Sequence, residues 1–165
     1  MKKTFWLLAL LMALVLPMQN VLAEEATEPT PYFPAEYAVE FEQASAALQA
    51  HLPGALVDFA VRERDDGRYE WDLFFVLDGQ LGEAEILEGD FSIRRVRLYD
   101  MPEGGLTALQ AIAVLAQEKG EMLITDLELD LDDGRLRYEG EAMLGERHYE
   151  FEISATGSII EWEYD

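Results

Sequence analysis

Carboxylates are the most abundant reactive groups in this sequence: 34 Asp and Glu stand against 12 Lys and Arg, with two His and no Cys. They are densest at Asp126, Glu128, Asp130, Asp132 and Asp133. A hard cation such as Ca2+ is the chemistry such a run could support, because it needs several oxygens converging at about 2.3–2.6 Å. Alternate residues of one strand stand roughly 6–7 Å apart, too far to share an ion. Only Asp130, Asp132 and Asp133, at a turn, are therefore weak metal candidates, and the EF-hand pattern is absent. The alternation of the acids with Leu127, Leu129 and Leu131 reads them instead as the wet side of a strand. His51 and His148 lack HExxH spacing, which argues against a zinc peptidase. The absence of Cys removes thiolate nucleophiles. Ser45, Ser92, Ser154 and Ser158 sit in no G-x-S-x-G elbow. Acids are so common that any chosen glycosidase pair carries no information. No catalytic residue and no cofactor is assigned, and the chain is read as non-enzymatic.

Binding chemistry is a better match to what remains. Arg62, Arg64, Arg68, Arg94, Arg95 and Arg97 cluster in one part of the chain, and the guanidinium fork pairs well with carboxylates. Tyr69, Trp71, Phe74, Tyr138, Trp162 and Tyr164 supply aromatic area of the kind that anchors protein interfaces. Arg94, Arg95, Arg97, Trp71 and Phe74 are the partner-binding candidates, with Phe74 expected to be the most exposed aromatic. The competing readings are cross-strand ion pairing for the arginines and core packing for the aromatics.

Net charge narrows the partner. The whole chain carries −22, and −24 once Lys2 and Lys3 are set aside. Nucleic acid needs a basic stripe and is excluded as a partner. Basic partners and cations remain compatible. Lys2 and Lys3, the apolar run Phe5 to Leu16, Pro17 and the small-residue site Val21-Leu-Ala23 read as a signal peptide cleaved after Ala23. That run falls short of the roughly 20 residues of a spanning helix, so no membrane span is expected after cleavage. The protein is expected to be periplasmic or secreted. Residues 24–34, with three prolines and three acids, read as an extended tether.

The elements that must hold these residues follow from periodicity. Tyr37, Phe41, Ala44 and Leu48 share one face of a helix over 36–51, stopped by Pro53-Gly54. Strands are expected over 56–64, 68–77, 81–87 and 91–99, with a bulge where the alternation slips at Arg94-Arg95. Thr107 is the N-cap of a second helix that stops at Gly120. Strands follow over 122–131, 135–143 and 147–153, and Ile160, Trp162 and Tyr164 form the inner side of the last.

The two runs of elements share an order. Asp65-Asp-Gly-Arg68 and Asp132-Asp-Gly-Arg135 lie 67 residues apart, and Trp71 matches Tyr138 at that offset. The strands before the two turns differ by one residue in phase, so the repeat is degenerate. The expected fold class is α+β: two tandem repeats, 35–104 and 105–165. Each is a helix plus a four-stranded antiparallel sheet, with the helix packed on one sheet face.

The second repeat resembles the PepSY domain family. The resemblance rests on the helix Thr107 to Lys119 ending at Gly120, on Leu123-Ile-Thr-Asp-Leu-Glu-Leu, and on Asp132-Asp-Gly before an aromatic strand. Its strongest part is Tyr149-Glu-Phe-Glu-Ile-Ser-Ala-Thr-Gly-Ser-Ile-Ile, where Ser154 replaces the usual Asp and the turn is one residue short. The resemblance makes 105–165 a PepSY domain and 35–104 a diverged copy. It implies a fold similar to half of the tandem β-lactamase inhibitor protein, and a role in restraining proteases without catalytic residues of its own. The expectation is an exported module that binds another protein, such as a protease it inhibits or an envelope sensor it modulates. The alternative is a protein that binds or senses Ca2+ or another divalent cation through its acidic hairpin turns.

Overall fold

The computed structural model describes residues 35–65 and 67–165; the signal peptide and tether expected at 1–23 and 24–34 lie outside the described residues. A 3-10 turn, Ala35–Tyr37, leads into helix α1 (Ala38–His51). Strands β1 (Leu56–Asp65), β2 (Arg68–Leu77), β3 (Gln80–Leu87) and β4 (Ile93–Asp100) follow. Helix α2 (Ala108–Lys119) precedes β5 (Leu123–Asp132), β6 (Arg135–Leu144), β7 (Arg147–Ser154) and β8 (Ile159–Tyr164). The strands form two separate antiparallel sheets, β1-β2-β3-β4 and β5-β6-β7-β8. The fold is α+β, as the periodicity implied. No described helix is long and apolar enough to cross a membrane.

Tight turns set the meanders. Asp78 and Gly79 between β2 and β3, and Asp133 and Gly134 between β5 and β6, all have positive φ. That is the two-residue geometry whose twist matches a right-handed hairpin. Thr107 opens α2 with a capping box: its side chain accepts from the Gln110 backbone N–H, and the Gln110 side chain accepts from the Thr107 N–H at 3.0 Å.

The two sheets share a register at the 67-residue offset. β1 bulges between Val57 and Phe59 as β5 does between Ile124 and Asp126. The third and fourth strands of each sheet slip between Glu85 and Ile86, and between Glu152 and Ile153. The residue looped out is Arg94 in β4, where a slip was expected, and Ile160 in β8. Ile160 is consequently exposed and Ile159 takes the inward place expected of it.

What differs between the halves is which face is apolar. α1 contributes Ala44 and Leu48 to a core with Trp71, Leu73, Phe75, Ala84 and Ile86. α2 contributes Ala111, Ile112 and Leu115 to a second core with Leu127, Leu129, Tyr138, Phe151 and Ile153. That second core also takes in Phe59, Val61, Phe74 and Leu81, from the face of the first sheet opposite α1. The first sheet is therefore buried on both faces, and the second on one. Asp58, in the β1 bulge, reaches across the halves and accepts the Leu109 N–H in the first turn of α2 at 3.2 Å. Negative charge is favoured at that helix end.

Candidate functional site

The face of the first sheet that meets the second half carries all the buried acids among the described residues: Glu70, Asp72 and Glu83. β2 brings Glu70 and Asp72, β3 brings Glu83 and Glu85, and β1 brings Glu63. Pairings Glu63↔Glu70 and Asp72↔Glu85 put them on one side. Arginines of β4 answer most of them. Arg94 contacts Glu70 at 2.6 Å, Arg95 pairs with Glu85, and Arg97 contacts Glu83 at 2.6 Å. Arg97 also contacts Glu128 of β5 at 2.6 Å, so a Glu83–Arg97–Glu128 bridge joins the two halves. The other oxygen of Glu83 accepts the Leu129 N–H at 2.8 Å. β5 is an edge strand, and this carboxylate occupies a backbone donor that would otherwise template foreign strand pairing.

Asp72 is the exception. It is 4% exposed, and its oxygens lie within 4.8 Å of those of Glu83 and Glu85. Burial first, then the charges of Glu63, Glu83, Glu85 and Glu70, push its carboxyl up to about 9. Glu63 is raised to about 7, chiefly by burial and then by the charges of Asp126 of β5 and Glu70. These groups keep protons near neutrality, as carboxylates crowded in a dry site must. Asp126 is raised as well, again chiefly by burial.

The opposite face of the second half, away from α2, is open and acidic. Asp126, Glu141, Glu150 and Glu163 lie in register across all four strands, and Glu128, Glu139, Glu152 and Glu161 form a second row beside them. Arg97 serves Glu128, and Arg137 reaches Glu152 at 3.1 Å. Among the described residues no Arg or Lys pairs with the first row. Like charges placed directly across strands are destabilising, so these rows are held against local stability. A shallow depression lined by Asp126, Glu139, Glu141, Glu150, Glu152 and Glu161 lies along both rows.

The residues singled out from the sequence fall differently. Trp71 is fully buried under α1, at 6.0 Å between ring centroids from Phe41. Phe74, expected to be exposed, is 1% exposed and packs against Phe59 and Tyr138 at 6.2 and 6.5 Å. The expectation of exposure is corrected: this sheet face is covered by the second half. Arg94, Arg95 and Arg97 are ion-paired within the chain rather than presented as a basic face. Asp130 and Asp132 both bind Arg137, at 3.1 and 3.3 Å, so a guanidinium occupies the space an ion would need; Asp133 is exposed at the hairpin tip. Asp72 was missed. Its signal was legible: one acid interrupts Trp71-Asp-Leu-Phe-Phe-Val76, on the face that Phe74 and Val76 share.

The segment resembling the family ending is tied to the start of the same half. Leu106 N–H donates to the Ala155 carbonyl at 2.7 Å, and the Tyr138 hydroxyl donates to the Leu106 carbonyl at 2.9 Å. Ser154 Oγ accepts the Ser158 N–H at 2.9 Å, so it serves as the acceptor inside the shortened turn. Residues 105–164 match the family model PepSY, described as "Peptidase propeptide and YPEB domain". No curated protein matches the chain. A solved structure of a candidate lipoprotein from Clostridium difficile 630 is similar at 13% identity and a TM-score of 0.42, over 76% of this chain and 93% of that one.

Proposed function

With residues 105–164 a PepSY domain, we propose that the chain is an exported, non-catalytic module that docks a basic protein partner on the open acidic face of its second sheet. Restraint of a protease, or modulation of an envelope protein, is the function this serves. The observation that carries the reading is the pair of carboxylate rows crossing four strands. At the equivalent positions of the first sheet, Phe59, Val61 and Phe74 are apolar and covered, whereas Glu128 and Glu141 are exposed and Asp126 is only half-buried. Charge at that density draws a basic surface at long range and speeds its encounter.

The test compares the mature chain with its Glu141→Gln, Glu150→Gln, Glu163→Gln variant in cross-linking from the periplasm or culture medium. A single basic protein captured by the native chain, and lost or weakened by roughly tenfold or more in the variant at physiological salt, is the expected result. Equal capture by both proteins, or no specific capture, removes the acidic face as the docking surface.

A further inference from the structure

We propose that β8 is a strand-accepting edge: an extended segment of the partner, with basic and apolar residues in alternation, adds to the second sheet beside it. The proposal rests on the acidic docking face for the partner's charge, and it adds the edge that fixes the partner's backbone. β8 ends its sheet, with β7 on one side and no strand among the described residues on the other. Asp165 N–H donates to the His148 carbonyl at 3.2 Å, so residues in phase with Asp165 turn their backbone groups toward β7. Glu163 and Glu161, opposite Glu150 and Glu152, are in that phase. The N–H and C=O groups of Trp162 and Tyr164 consequently point away from β7, because opposed residues alternate between bonded and non-bonded pairs. Edge groups of this kind template a further strand, whose main chain supplies affinity and whose alternate side chains supply specificity.

The side chains of β8 select the alternation. Glu161 and Glu163 are exposed and end the two carboxylate rows, so cross-strand residues opposite them must be basic. On the other side Trp162 stacks on Tyr149 at 4.5 Å, and Tyr164 meets the same ring edge-on at 5.7 Å. Lys119 of α2 lies over the Trp162 ring at 5.8 Å, which leaves Tyr164, 68% exposed, as the main apolar contact. The other edges suit this partner less well. β4 carries Arg94, Arg95 and Arg97, and β1 carries Arg62 and Arg64. On β5 the Leu129 N–H is already taken by Glu83. A second copy of the chain is disfavoured too. Antiparallel pairing of two β8 strands about Trp162 sets Glu161 against Glu163, and pairing about Glu163 sets that residue against its counterpart. Residues 24–34 are a poor donor, with three acids, no Lys or Arg, and three prolines that lack an N–H.

The test uses the mature chain and a capped seven-residue peptide that alternates lysine and valine, at physiological salt. Amide exchange of Trp162 and Tyr164 is expected to slow by about tenfold or more when the peptide is bound. Two N-methylated peptides, one blocked at every valine nitrogen and one at every lysine nitrogen, give the signature. Strand pairing uses one alternate set of amides, so one of the two should bind about tenfold or more weakly while the other keeps its affinity. Equal binding by all three peptides overturns the edge while leaving the acidic face standing as a docking surface. Protection that appears at β4 or β5 instead, or none at about 1 mM peptide, also overturns it. So does protection of Trp162 and Tyr164 that rises with the concentration of the chain alone, which would mark pairing between copies. Edge protection with the expected signature, alongside equal partner capture by the triple Gln variant, upholds the edge and removes only the acidic face.

Discussion

Two residues separated by 67 positions do the same work in the two halves. Trp71 and Tyr138 are the largest fully buried side chains, one in each core. Phe74 has no such twin, because its equivalent is Glu141. Its ring fills the junction, between Phe59 of its own sheet and Tyr138 of the other half. Truncating a buried Phe removes its transfer free energy and leaves a cavity. Phe74→Ala is expected to lower unfolding free energy by about 3–5 kcal/mol, measured by urea denaturation. A loss below about 1 kcal/mol would place Phe74 at a surface instead. Burial of Phe74 was only half readable. Phe74 and Val76 interrupt the alternation of β2 and signal a strand covered on both sides, but nothing local says by what.

At the scale of elements, the turn between β7 and β8 holds the second half closed. Its Gly157 has φ of 92°, and a Cβ there would stand 2.8 Å from Leu106 Cδ1. The residue leading into α2 is thus packed on the turn that precedes the last strand. Gly157→Ala forces an L side chain into left-handed backbone and pushes Leu106 away. It is expected to cost about 1–3 kcal/mol, seen as a lower melting temperature with the secondary structure intact. An unchanged melting temperature would show that the turn relaxes freely. Element limits were legible nearly throughout: Asp-Gly turns and the Thr107 cap act through neighbours in the chain, and the Arg94 slip shows as a break in the alternation from Phe91 and Ile93 to Val96 and Leu98. Ile160 was misread because its bulge is fixed by the partner strand. Ile153 pairs with Ile159, leaving Ile160 looped out.

For the whole molecule, the seam between halves makes stability fall with rising pH. Asp72 and Glu63 have folded values above those of the unfolded chain. Their contribution is complete below ordinary carboxyl values, about 4. It is lost as pH rises through about 7 for Glu63 and about 9 for Asp72. The native chain should therefore have a lower urea midpoint at pH 9 than at pH 6. Asp72→Asn should match it near pH 5 and exceed it near pH 9. A native midpoint that rises between pH 6 and pH 9 contradicts this sign.

The sequence by itself determined the local layout: α+β class, strand periods, Asp-Gly turns, the capped second helix and the duplicated order. Each depends on residues within one or two turns of each other. Tertiary structure alone decided which faces are wet. Phe59 and Val61 differ in phase from Leu127 and Leu129 because the first sheet carries a second apolar face, and that face exists only where the other half lies on it. The same burial separates Asp72 from Glu139, two acids at equivalent positions. One is enclosed among carboxylates and holds its proton, and the other lies on an open sheet beside Arg137. Charge in a sequence is only a count; its chemistry depends on how much water each group keeps, and water is displaced by residues far away in the chain.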